Sequence, residues 1–388
     1  MKAQVPEKAT PVTTMPTEIV LPMAQTGPGT ATRDGEHPIT YYNHPMLRKP
    51  TWKWPIPFYF FLGGVAGGAA VIGAAAEILG GDNHKSTVRH ARWLALILAM
   101  ICPLLLIQDL GRPARFYRML RIFKVSSPLN VGTWILSAFG LLSGILGAKQ
   151  AAEDDMLIRR ESGLGRFLRA IPSGPFTALH GLAGLGLGGY TGVVLTATAV
   201  PLWAAGGILL GPLFLATAIA SGAAALTLIG IFRGNRTDEA RRRVQAVETV
   251  ATMTQLGLLA ARQAVVPSTI NKPLRRGVWG AVWQAGAVGG GVAAPLAIRL
   301  AVKLSGRRTS ETLAAVSSAL SLLGALAERM SLVEAGKLSA DDPIAYQELT
   351  KGAPGQARST PAEQAQRAPK TPAYKSGFVA PERTGPTR

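Results

Sequence analysis

Long apolar runs alternate with short polar connections over most of the chain. The runs fall at about 57–79, 91–108, 131–147, 175–199, 204–232, 244–265, 277–300 and 312–332. Each is close to the roughly 20 residues that a helix needs to cross a hydrocarbon core about 30 Å thick. The pattern predicts an all-α, polytopic membrane protein with about eight transmembrane helices. A division at Pro201 would arrange them as two four-helix bundles. An even number of spans puts both termini on one side. Lys and Arg counted over alternate connections come out roughly even, so the positive-inside rule leaves the orientation open.

The flanks differ from this pattern. Residues 1–51 are rich in Pro, Thr and Gly, and are expected to form a disordered or surface-lying arm. They have no basic stretch followed by an apolar core, so no cleavable leader is expected. His37, Tyr41, Tyr42 and His44 lie in this arm near the first span. Trp52-Lys53-Trp54-Pro55 has the character of an interfacial anchor that opens a helix. The membrane domain is expected over 52–336, and 337–388 as a disordered basic tail.

Within the runs, glycine and polar residues carry the information. Gly63, Gly64, Gly67 and Gly68 form overlapping small-residue pairs in the first run, and the fourth holds Gly181, Gly184, Gly186, Gly188, Gly189 and Gly192. Such positions let helices, or a flat ligand, come close. Tyr190 is the only tyrosine of the fourth run, and a buried phenol needs a hydrogen-bond partner. The 244–265 run is the most polar. Its Glu248 and Gln255 stand seven residues apart on one helical face, so that stripe should look into a bundle rather than at lipid. Glu328 and Arg329 fall near the end of the last run, and the 148–173 connection, with charges of both signs, has room for a short surface helix.

Composition narrows the function classes. Charged residues make up 16% of the sequence, against about a quarter in soluble domains. The net charge of +19 sits in the connections and tails. That distribution suits loops meeting anionic headgroups, and no nucleic-acid-reading motif accompanies it. Cys102 is the single cysteine, which excludes an internal disulfide, a thiolate-held iron–sulfur cluster and a Cys-x-x-Cys-His haem attachment in this protein. Haem b would need paired imidazoles at helix depth, whereas His180 is the only histidine inside a run; His84 and His90 lie in the first connection.

Asp109-Leu110-Gly111-Arg112-Pro113 closes the second run and leads into a basic loop with Arg115, Arg118, Arg121 and Lys124. A carboxylate and a guanidinium at the mouth of two apolar segments have two readings. They are a structural cap, or a proton-handling pair in which the arginine favours the charged carboxylate. Glu77 and Glu248 are further acids inside runs and candidates for proton transfer. The loop cations are placed to meet headgroups or an acidic partner surface.

Pro57-Phe58-Tyr59-Phe60-Phe61-Leu62-Gly63-Gly64-Val65-Ala66-Gly67-Gly68 resembles the first-helix signature of the NrfD/PsrC family, the membrane subunits of polysulfide-reductase-type oxidoreductases. Asp109 to Pro113, Ser127-Pro128-Leu129 with Gly132 and Trp134, and Gly189-Tyr190-Thr191-Gly192 with Pro201-Leu202-Trp203 resemble its later motifs in the same order. The likeness spans about residues 52–340. It implies a cell (inner or cytoplasmic) membrane subunit, not catalytic alone, that exchanges electrons between a quinone pool (menaquinone or ubiquinone) and an iron–sulfur, ferredoxin-like subunit joined to a catalytic subunit. It also implies no redox metal in this protein. By the same resemblance Tyr190 is a quinone contact, with Gly189 letting the ring lie against the backbone. Tyr59 stands near a place where some members carry histidine, and His180 is an alternative second contact. Two other functions fit the residues: an ion or proton translocator, and a passive anchor for a redox complex.

Overall fold

The computed structural model describes residues 47–80, 84–234, 238–305 and 310–351, and every regular element among them is helical. His37, Tyr41, Tyr42, His44, most of the expected arm and the end of the tail lie outside the described residues. The long helices are α1 (Pro55–Leu79), α2 (Lys85–Asp109) and α3 (Pro128–Glu153), then a short α4 (Gly163–Ala170) and α5 (Ser173–Thr196). After Pro201–Ala204 come α6 (Leu210–Phe232), α7 (Asp238–Val265), α8 (Gly277–Leu304) and α9 (Glu311–Ala340), and α10 (Pro343–Lys351) ends the described residues. Proline at the first turn opens α1 and α3, where a missing N–H costs nothing. Ser162 and Ser310 cap α4 and α9 by accepting from Gly165 N and Leu313 N.

Seven of these helices are long and apolar enough to cross a membrane, and the molecule is a multi-pass membrane protein. The eighth expected span is present as α7. At 28 residues it is about 42 Å long, but its composition is more polar than that of the other seven. Its polar stripe turns inward: Glu248, Thr252, Gln255 and Arg262 are all buried.

The packing follows the small residues. Helices α1, α2, α3 and α5 form one group and α6 to α9 another, with α1 and α5 lying against α6. The central contact is α1. A Cβ on Gly67 would lie 2.6 Å from the Gly184 carbonyl oxygen of α5, and one on Gly68 would lie 1.9 Å from that of Ala218 on α6. No side chain fits at either place, so α1 packs through bare backbone on α5 of its own group and on α6 of the other. In the second bundle, residues 282–293 of α8 widen into a π-helix. There a Cβ on Gly291 would lie 2.5 Å from Gly324 Cα of α9.

Two boundaries correct the sequence reading. The helix expected to stop near 332 runs to Ala340, so Glu328 and Arg329 stand inside the bundle rather than at its rim. The tail expected to be disordered from 337 is helical to Lys351: Ala340 and Ala345 are buried, and Ser339 Oγ accepts from Leu202 N at 3.1 Å. The end of the arm is likewise fastened, with Lys49 paired to Asp341 at 2.5 Å, and Trp52 just after it stacks on Trp203 at 5.3 Å.

Candidate functional site: a tyrosine pair between helices

Tyr59, one turn into α1, and Tyr190, near the end of α5, meet. Their hydroxyls share a hydrogen bond of 2.5 Å. Antiparallel neighbours bring the start of one helix beside the end of the other, and so sequence positions 131 apart become adjacent. Gly132 of α3 completes the seat: a Cβ there would lie 2.0 Å from Tyr190 Cε2, so the α3 backbone runs directly against the phenol ring. Tyr59 is fully buried, whereas Tyr190 is partly exposed. Cys102 of α2 is buried beside the pair.

Each phenol carries one proton and accepts through its lone pairs. When one hydroxyl donates to the other, the acceptor's own proton is left to point elsewhere. The pair therefore presents one donor to an approaching carbonyl and holds a short path for a proton between two helices. Aromatic rings continue from it: Tyr59 to Phe60 at 5.7 Å, Phe60 to Phe214 at 6.4 Å and Phe60 to Trp52 at 6.1 Å. Trp203 behind Trp52 donates from Nε1 to the Leu332 carbonyl at 2.7 Å.

The other sequence candidates are distributed elsewhere. His180 is ten residues before Tyr190 on α5, about 15 Å along the axis. It bonds Ser143 Oγ at 2.8 Å and stacks on Phe139 at 4.7 Å. It therefore does not supply a second contact to a ring held at Tyr190. Gly189 faces α6, where a Cβ would meet the Gly211 oxygen and Leu215 Cβ at an ordinary 3.6 Å, so no ligand is needed to explain it. Asp109 and Arg112 do not pair: Asp109 Oδ1 accepts from Lys53 N at 3.0 Å, tying the end of α2 to the start of α1, and Arg112 is exposed.

Half-buried Glu77 and buried Glu248 and Glu328 each have partners. Glu77 accepts from Arg92 Nη2 and Thr177 Oγ1, each at 2.8 Å. Glu248 pairs with Arg299 and accepts from Ser318 Oγ at 3.0 Å. The sequence reading missed the deepest group. Glu328 accepts from Arg329 at 2.6 Å, Gln255 at 2.6 Å and Thr217 at 3.0 Å, while Arg329 donates to the Phe214 carbonyl and lies over its ring at 3.5 Å. The signal available was the inward stripe of α7, which already pointed Gln255 at whatever stood opposite.

The basic loop after α2 forms a 3₁₀ turn, Pro113–Leu120, that exposes Phe116 and Tyr117, and Ile122 and Phe123 just after it are exposed too, among its cations. Asn130 and Trp134 at the start of α3 hold it by donating to the Ile122 carbonyl at 2.8 and 3.2 Å. The loop thus sits at the same helix ends as the tyrosine pair.

Comparison with known proteins bears on this arrangement. The family described as polysulphide reductase, NrfD, matches residues 43–340. The C subunit of polysulfide reductase from Wolinella succinogenes is 30% identical over 193 residues, which is 46% of this protein and 58% of that one. The sequence thus spans less than two thirds of that relative's length.

Proposed function

We propose that this chain, which belongs to the NrfD polysulphide reductase family and is a membrane subunit of a reductase complex, is the quinone-reactive part of that complex. A quinone or quinol, menaquinone or ubiquinone, binds with one carbonyl at the Tyr59–Tyr190 pair. Electrons pass between it and an iron–sulfur, ferredoxin-like subunit, which connects to a catalytic subunit. The membrane is the cytoplasmic one. The observation that carries this reading is the 2.5 Å phenol pair seated on Gly132. Two converging hydroxyls, one on a fully buried and one on a partly exposed tyrosine, offer a donor and a proton path. The exposed apolar and basic turn at the same helix ends supports docking of the electron-transfer partner there.

The test is quinol-linked electron transfer in membranes carrying Tyr190→Phe and, separately, Tyr59→Phe. Losing one hydrogen bond to a bound carbonyl is expected to lower turnover about tenfold, while the assembled complex accumulates normally. Unchanged turnover in both variants would reduce the protein to a passive anchor.

Proton movement fits the same subunit. Reduction of a quinone takes up two protons, and Glu77 and Glu248 are candidate carriers. The observation favouring such a role is that Glu248 borders an opening of about 260 Å³ with Ser317, Ser318 and Arg299.

A further inference from the structure

At the helix ends opposite the tyrosine pair, a cavity of about 990 Å³ opens between α1, α2, α3, α5 and α6. Its charged lining is Lys85, Arg89, Arg92 and Arg233 against Glu77 and Glu153, with His90, Ser86, Gln150 and Ser173 beside them. Arg92 is paired with Glu77 at 2.8 Å and Arg89 with Asp154 at 2.9 Å, which leaves Arg233 as a cation of this lining beyond those pairs. The first turns of α2 and α5 also face it, and helix N-termini present N–H groups to anions. Two polar atoms of its lining, Ser86 Oγ and Arg92 Nε, are buried without a hydrogen-bond partner. Arg92 is 7% exposed. Arg233 makes no ion pair among the described residues.

A second, apolar groove of about 420 Å³ continues from this cavity. It shares Arg89, His90 and Arg233 and runs between α2 and α6 along Trp93, Leu94, Ile97, Ile229 and Phe232. A cationic, amide-lined head pocket that leads into an apolar groove along the bilayer has the amphipathic shape of a phospholipid. A free anion would use the first part only.

We propose that this paired cavity is a binding site for an anionic glycerophospholipid, its phosphodiester in the Arg92–Arg233 pocket and an acyl chain along Ile97 and Phe232. The site is separate from the quinone reading and does not depend on it. Basic pockets between transmembrane helices hold such headgroups by charge.

Native mass spectrometry of the full-length protein, purified in mild detergent and stripped of lipid, tests this. Phosphatidylglycerol, phosphatidylcholine with the same acyl chains, and inorganic phosphate are titrated in turn. One phosphatidylglycerol is expected to bind at least about tenfold more tightly than phosphatidylcholine, and equimolar phosphate should not displace it. Arg233→Gln should weaken that preference severalfold, and Arg89→Gln/Arg233→Gln should abolish it. A control with equal charge loss at the other helix ends, Arg118→Gln/Arg121→Gln, should keep it. Equal binding of the two lipids, or equal loss in the control, overturns the site. Displacement by equimolar phosphate overturns the lipid and leaves a plain anion pocket.

Discussion

Glu328 shows what a single side chain costs and contributes in this setting. It is wholly buried between α6, α7 and α9, and three donors converge on its carboxylate. A charge at such depth persists only because Arg329, Gln255 and Thr217 replace the lost water. Removing it strands Arg329, whose other partners are the Phe214 carbonyl and ring. Glu328→Ala is therefore expected to destabilise the bundle by about 3–5 kcal/mol, read as a lowered Tm in detergent. Glu328→Gln, which keeps the shape and a carbonyl acceptor, should lower it less. Equal stability of Glu328→Ala and wild type would mean that the buried charge is not held as described. The tyrosine pair follows the same logic at lower stakes. Both phenols were legible as candidates, Tyr190 from its depth and from family resemblance, Tyr59 from the first-helix signature. Gly132 stood in a quoted motif with no role attached, because nothing in the linear order says that α3 passes beneath the Tyr190 ring.

At the level of elements, bare-backbone contacts and charged staples both join helices, beside the apolar core. Asp154, just beyond α3, is a staple: it accepts from Arg89 Nε and Trp93 Nε1 at 2.9 Å and from Gln150 at 3.0 Å, fastening α2 to the end of α3. Burial alone would raise its pKa, but hydrogen bonds from Trp93, Gln150 and Arg89, with the Arg89 charge, together hold it below the usual carboxylate range. A depressed folded-state pKa contributes stability that is fully present above the unfolded value, about 3.9. That stability is lost as pH falls through the folded value. The expected outcome is a Tm that declines below about pH 4, and a lower but flatter Tm profile over that limb in Asp154→Asn. An identical acid limb in the variant would remove Asp154 from the account. Helix α7 makes the complementary point: its polar stripe predicted an inward face, and burial of Glu248 and Gln255 agrees. Such a stripe lowers apolarity averaged along the helix, and only the neighbours α6, α8 and α9 make it tolerable.

For the whole molecule, the two bundles meet on the glycine-lined faces of α1, and the redox reading places its working residues near that seam. Phe60 of α1 touches Phe214 of α6, and Phe214 lies under Arg329 of α9. The ring pair and the buried ion pair are thus parts of one packed layer. On the proposed reading, this subunit needs an iron–sulfur partner to pass electrons on. Gentle extraction of the tagged protein is accordingly expected to bring down a cysteine-rich, iron-containing subunit whose clusters are reduced or oxidised on addition of quinol or quinone. A preparation that purifies free of iron and fails to pass electrons to any added iron–sulfur partner would favour the translocator instead.

Hydropathy alone determined the all-helical, membrane-spanning class and the approximate order of helices, because burial in lipid demands long apolar runs whatever their neighbours. The short motifs carried the family, since their spacing survives without knowledge of packing. Which residues meet was left to the tertiary structure. It brought Tyr59 to Tyr190 and kept His180 a few helical turns away. It left Asp109 bonded to the Lys53 backbone instead of Arg112, and carried the last long helix past Glu328 and Arg329 to Ala340. The physical reason is that polar atoms in a membrane protein are satisfied by whichever helix lies opposite. That choice is made by the close approach of glycine faces, which leaves no local mark on the residues it unites.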